Sequence, residues 1–97
     1  MRFDAGMLEF DWDKGNAGKN KKHGVDDSES EESFFDGSKV ILKDTLHSDE
    51  EERFILLGKT KKERLLFVVF SKRKDKIRII SARDINRRER GLYEKTA

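Results

Sequence analysis

The chain contains no cysteine and no proline among its 97 residues. Without cysteine there is no disulfide, no thiolate nucleophile and no cysteine-ligated zinc site, and a reducing cytoplasm is permitted. Histidine is scarce: His23 and His47 are the only two. The longest apolar run, Leu65–Phe70, has six residues, far short of the roughly 20 that cross a bilayer as a helix. Met1–Met7 holds no continuous apolar stretch, which reads against a signal peptide. A soluble cytoplasmic chain with no membrane partner is expected.

Charge is what the chain has in excess. Charged residues make up 43% and hydrophobic residues 34%, against a usual charged share of about 25%. A chain of this length builds one thin core. Residues 1–8 read as a flexible lead, with Met7 as an alternative start, and residues 9–97 as one domain. The net charge of +2 conceals an asymmetry. Met1–Gly58 carries 8 Lys/Arg against 15 Asp/Glu, a net of −7; Lys59–Ala97 carries 14 against 5, a net of +9. Such a split suits a polyanion-facing second half, although a solvated charged surface would look the same.

Periodicity gives the order β-α-α-β-β-β-β-α, an α+β fold with helices on an antiparallel sheet of four to five strands. Phe10–Trp12 reads as a short strand. Asp13 would cap a helix running to Lys22 and closed by Gly24. Asp26 would open a second helix, ending at Phe34–Phe35. Four strands follow, Lys39–Lys43, Glu52–Leu57, Arg64–Phe70 and Lys76–Ser81. The third is apolar on both faces and belongs at the centre. Ser81–Asp84 resembles a capping box for a last helix to about Glu94, with Ile85 and Leu92 on one stripe.

Phosphate-binding glycine loops and nucleophile elbows are absent. The acidic runs Asp26–Glu32 and Asp49–Glu52 lack the glycine-containing spacing that converges oxygens on a hard cation, so neither metal nor cofactor is expected. Lys76–Arg83 is more informative. Arg78 is a cation inside an apolar strand, a costly placement unless it meets an anion. Arg83 would lie just beyond, in a helix's first turn, where free backbone N–H groups also favour anions. The pair suits a phosphate; an ion pair with Glu52 or Asp84 is the structural alternative. His23 and His47 can each serve as general acid or base, or be plain surface residues.

Three blocks resemble one family. Phe10–Asp13, Gly15-Asn16, Lys19-Asn20 and Lys22–Val25 are similar to the FEWD…N..KHGV opening of the BrnT family. His47-Ser48 with Glu51–Phe54 and Gly58 resembles its HS..EERF…G centre. Arg78–Arg83 with Arg88–Arg90 and Tyr93-Glu94 resembles its RIISAR….ER..YE close. Departures are Asn16, where a lysine is frequent, and Asp36-Gly37, where an acidic-proline turn is usual. The resemblance implies a RelE-like fold and a ribonuclease toxin of a type II toxin–antitoxin pair. It further implies inhibition by a BrnA-type antitoxin encoded nearby, contact with operator DNA only through that antitoxin, and a toxin–antitoxin heterotetramer. The implied chemistry is attack of an RNA 2′-OH on its own phosphate. Arg78 and Arg83 would stabilise the developing charge, and Glu52 and His23 would be base and acid, with His47 third. Lys22, Arg53, Arg64 and Arg88 would bind substrate. Because Arg53 alternates with Glu52 at a strand start, only one of the two should face the substrate. The competing function is a basic-faced module that binds RNA or a partner without cleaving it. Toxicity relieved by a neighbouring gene separates the two.

Overall fold

The computed structural model describes residues 8–47 and 51–96, with the side chain of His47 outside the described set; the expected flexible lead therefore falls outside it, Leu8 excepted. Five strands form one sheet: β1 (Glu9–Phe10), β2 (Val40–Lys43), β3 (Arg53–Lys59), β4 (Leu65–Arg73) and β5 (Lys76–Asp84). Their order is β1-β5-β4-β3-β2. Strands β2 to β5 are an antiparallel meander, and β4 is central as its two apolar faces require. The sheet is not wholly antiparallel, however. β1 lies parallel to β5, pairing Phe10 with Ile77. After β1 the chain passes across one face, where α1 (Asp27–Ser33) packs on β3 and β4, and enters β2 at the far edge.

That covered face holds the main core. Val25 and Phe34 meet Leu56, Leu66, Val68, Phe70, Ile77, Ile79 and Ala82. Phe34 stands edge-on to Phe70 at 5.0 Å and to Phe10 at 5.3 Å, a preferred aromatic geometry. The opposite face carries a smaller cluster of Leu57, Leu65 and Tyr93, flanked by Phe67 and Ile85. Tyr93 comes from α2 (Arg87–Thr96), which covers only that end.

The helices differ from expectation in three ways. Among the described residues one N-terminal α-helix forms, α1, opened by a reciprocal Asp26–Glu29 capping box. The expected Asp13–Lys22 helix is instead a run of turns followed by a 3-10 helix, Lys19–His23. Asp13 turns its carboxylate onto the Gly15 N–H at 2.7 Å, a local bond that competes with helix formation. Gly18 breaks the run with φ 70°, while Gly24, φ 70°, ends it as expected. At the other end, Ser81–Asp84 is strand, because Phe67 and Leu66 of β4 still pair with Arg83 and Asp84. Ladder bonds there displace the expected cap, and the box moves to Asn86 and Glu89, which exchange backbone-to-side-chain bonds of 3.0 and 2.8 Å. Ile85 precedes the helix, and Leu92 is exposed while Tyr93 is buried.

Two buried asparagines finish the flank of β5 beyond β1. Asn16 donates its amide to the Ile79 carbonyl (3.0 Å), and Asn20 accepts from the Ala82 N–H (3.0 Å). Both are at most 3% exposed. They satisfy backbone groups that a neighbouring strand would otherwise take.

Candidate functional site

The face of the sheet opposite α1 carries the arginines. Arg53, Ser71 and Arg78 form one row across β3, β4 and β5; Leu57, Phe67 and Arg83 form another. A β-bulge sets this arrangement. Val69 pairs with Ser81 and Phe70 with Ile79, so Ile80 has no partner. One extra residue reverses the alternation downstream. Plain alternation would put Arg83 with Ile77 and Ile79 in the core. The bulge places Ala82 there instead and brings Arg83 onto the face of Arg78.

Each of these two guanidiniums is held by a carboxylate. Arg78, 12% exposed at its side chain, donates to both Asp13 oxygens at 3.1 and 2.9 Å, with Asp11 at 3.8 Å. Arg83 lies 3.9 Å over the centre of the Phe67 ring and donates to both Glu89 oxygens at 2.9 and 2.7 Å. The partners are therefore Asp13 and Glu89, not the anticipated Glu52 or Asp84 side chain. The Arg78 hydrogen bond holds the Asp13 carboxyl below its ordinary value. Burial works to raise Glu89, but the Arg83 bond and the Asn86 N–H prevail and lower it. Arg73 pairs with Glu51 at 3.1 Å, and its hydrogen bond holds that carboxyl low too.

The remaining expected residues are dispersed. Glu52 meets Lys43 at 3.5 Å; one residue out of phase with Arg53, it lies on the face of Phe54, away from the arginines. Arg64 is a tie between elements rather than an open cation. It donates to Asp84 (2.7 Å), to the Gly24 carbonyl (2.8 Å) and to both Glu29 oxygens (3.2 Å), and the two carboxylates, Asp84 first, raise its pKa. Lys22 and His23 are exposed on the 3-10 helix, which lies along β5. Arg88 is exposed on α2. His47 ends a short 3-10 turn, Thr45–His47.

Sequence reasoning missed Asp13 and Glu89 as partners of the arginines. Both stood in the quoted blocks, so the signal was present, but their pairing depends on tertiary placement. Among the described residues no three His, Asp or Glu converge to hold a metal ion, and no helix is long and apolar enough to cross a membrane. Bulge, arginine rows and opposing carboxylates amount to a cationic face on which Arg78 and Arg83 are each met by an acid of the same chain.

No curated protein matches the chain. A family model described as the ribonuclease toxin BrnT of a type II toxin–antitoxin system matches residues 12–89, a span that contains Asp13, Arg53, Arg78, Arg83 and Glu89, and the chain belongs to that family.

Proposed function

We propose that the chain is a metal-independent endoribonuclease and that RNA is cut on the arginine-bearing face. The bulge at Ile80 carries this reading, because it is what sets Arg78 and Arg83 on one face beside Arg53. An RNA 2′-oxygen attacks the adjacent phosphorus, the P–O5′ bond breaks, and the products are a 2′,3′-cyclic phosphate and a 5′-hydroxyl. Charge grows on the non-bridging oxygens, where a guanidinium can meet it directly. The attacking hydroxyl needs no capture step, since it is already next to the phosphorus. His23 is the group for proton transfer: it stands exposed on the helix that lines β5, and imidazole both accepts and donates protons. Glu52, across the sheet from the arginines, is too far out of phase for that role in this arrangement. Lys22, Arg53 and Arg88 are the accessory cations. In the cell, the reading has the chain act in the cytoplasm, held by a BrnA-type antitoxin in a heterotetramer that touches operator DNA only through the antitoxin.

The test is incubation of the purified chain with single-stranded RNA. Cleavage should survive excess EDTA, spare a 2′-O-methyl substrate, and leave 5′-hydroxyl ends that a polynucleotide kinase labels directly. Loss with EDTA and return with Mg²⁺, or cutting of the 2′-O-methyl strand, overturns the mechanism. Binding without any cutting favours the non-catalytic module.

A further inference from the structure

The two cations that matter most are both occupied within the chain. Arg78 and Arg83 are gripped bidentately by Asp13 and Glu89, the fork geometry that a guanidinium also offers to phosphate. Their partners in the ladder, Ser71 and Phe67, are four residues apart on β4, so the two backbones are separated by about 13 Å. The side chains diverge, Arg78 toward the loop after β1 and Arg83 toward α2. Held this way, the two guanidiniums face separate positions, one phosphate each.

Resting on the reading of this face as an RNA site, we propose that Asp13 and Glu89 stand in the free protein where two RNA phosphates sit in the complex. RNA then binds by exchange, carboxylate for phosphate, at both arginines. The exchange has structural consequences at each end. Asp13 also accepts the Gly15 N–H, and Glu89 also accepts the Asn86 N–H that starts α2. Both acids keep those backbone bonds when the guanidinium leaves, so the exchange does not require unfolding. Asp13 is half exposed at its side chain (55%) and can return to water cheaply, whereas Glu89 is largely covered (15%). The Arg83 exchange is therefore the harder of the two.

The experiment is binding of a fluorescent 2′-O-methyl oligonucleotide by anisotropy across a salt series. Glu89→Gln keeps the cap, since glutamine serves in a capping box, yet releases Arg83; Asp13→Asn does the same for Arg78. Each should tighten binding about two- to fivefold, the worth of a partly exposed ion pair. The log–log salt slope should stay within about 0.7 of wild type, because the same phosphates are contacted in every complex. Far apart, the two effects should add in the double variant. Glu94→Gln, which alters net charge equally on the same helix, should change little. If wild type binds, Arg83→Ala weakens it, and Glu89→Gln and Asp13→Asn bind no tighter than wild type or Glu94→Gln, the exchange is wrong while the RNA face stands. If wild-type binding is absent, or is untouched by Arg78→Ala and Arg83→Ala, the RNA face is wrong and the exchange falls with it.

Discussion

Gly58→Ala tests the packing that holds the sheet beneath the site. In a strand interior, alanine ordinarily gains about 0.5–1 kcal/mol over glycine by restricting the unfolded chain. Here the sign should reverse. A Cβ on Gly58 would run into the Ser33 carbonyl oxygen and lie 3.1 Å from its carbon and 2.8 Å from Leu56 Cδ2. The leucine methyl can turn aside; the Ser33 carbonyl is backbone at the end of α1 and cannot. Relief means lifting α1 from β3, which also loosens Phe34 from Phe70. Overpacking of this kind costs about 1–3 kcal/mol, leaving a net loss of roughly 1–2 kcal/mol after the glycine term. For a domain of this size that lowers Tm by about 5–15 °C. Gly91→Ala is the control: it lies in the exposed interior of α2 with nothing within 4 Å of its Cβ position, so Tm should rise by about 2–6 °C. Thermal melts followed by circular dichroism at pH 7 read both. If Gly58→Ala melts at or above wild type, the close approach of α1 to β3 is refuted.

Arg78→Ala should leave a folded protein by circular dichroism, because Asp13 is exposed enough to be solvated, while toxicity on expression falls about 10²–10³-fold in the underlying rate; a folded, fully toxic variant makes Arg78 structural. Burial, then the bond to Asp36, pushes the Tyr93 hydroxyl up to about 12 from 10.0. The neutral phenol is the form the fold favours, so this stabilisation is complete below pH 10 and is lost between pH 10 and about 12, by roughly 2–3 kcal/mol. Denaturant melts should show that alkaline decline in wild type and a flatter one in Tyr93→Phe; equal declines exclude Tyr93 as the cause. Association with an acidic antitoxin segment should slow as salt rises from about 50 to 500 mM, because the +9 half of the chain steers the encounter. Salt-independent on-rates in stopped flow would mean an apolar contact.

The meander was legible because β4 is apolar on both faces and each neighbouring strand ends in a charged turn. Gly24 and the Asp26 cap were legible for the same reason: their chemistry is local. The parity of Glu52 and Arg53 was readable from alternation alone, and Arg53 is the one on the arginine face. What alternation could not foresee was Ile80. A single unpaired residue leaves no mark on composition, yet it decides whether Arg83 meets the core or the open face. Ser81–Asp84 had the residue types of a cap, but β4 extends far enough to claim those backbone groups first. Asn16 and Asn20 were quoted only as parts of a motif and are buried, since their role is fixed by the edge of β5, some 60 positions away in sequence. Asp13 and Glu89 share that fate: ion-pair partners are chosen by the fold, not by neighbours in the chain.

The asparagine flank also has a bearing on how the molecule behaves at high concentration. An exposed strand invites another chain to pair with it because its backbone groups repeat at a fixed interval. Along β5 that repeat is interrupted by two amide side chains, and among the described residues the outer rim there offers the two residues of β1. Among the described residues, the edge left open to continued sheet growth is β2, where Leu42 is exposed. The border of the sheet beside Arg78 and Arg83 is shielded from self-templating by the same amides that shape it, so cations can stand there without the backbone beneath them becoming a seed for fibrils.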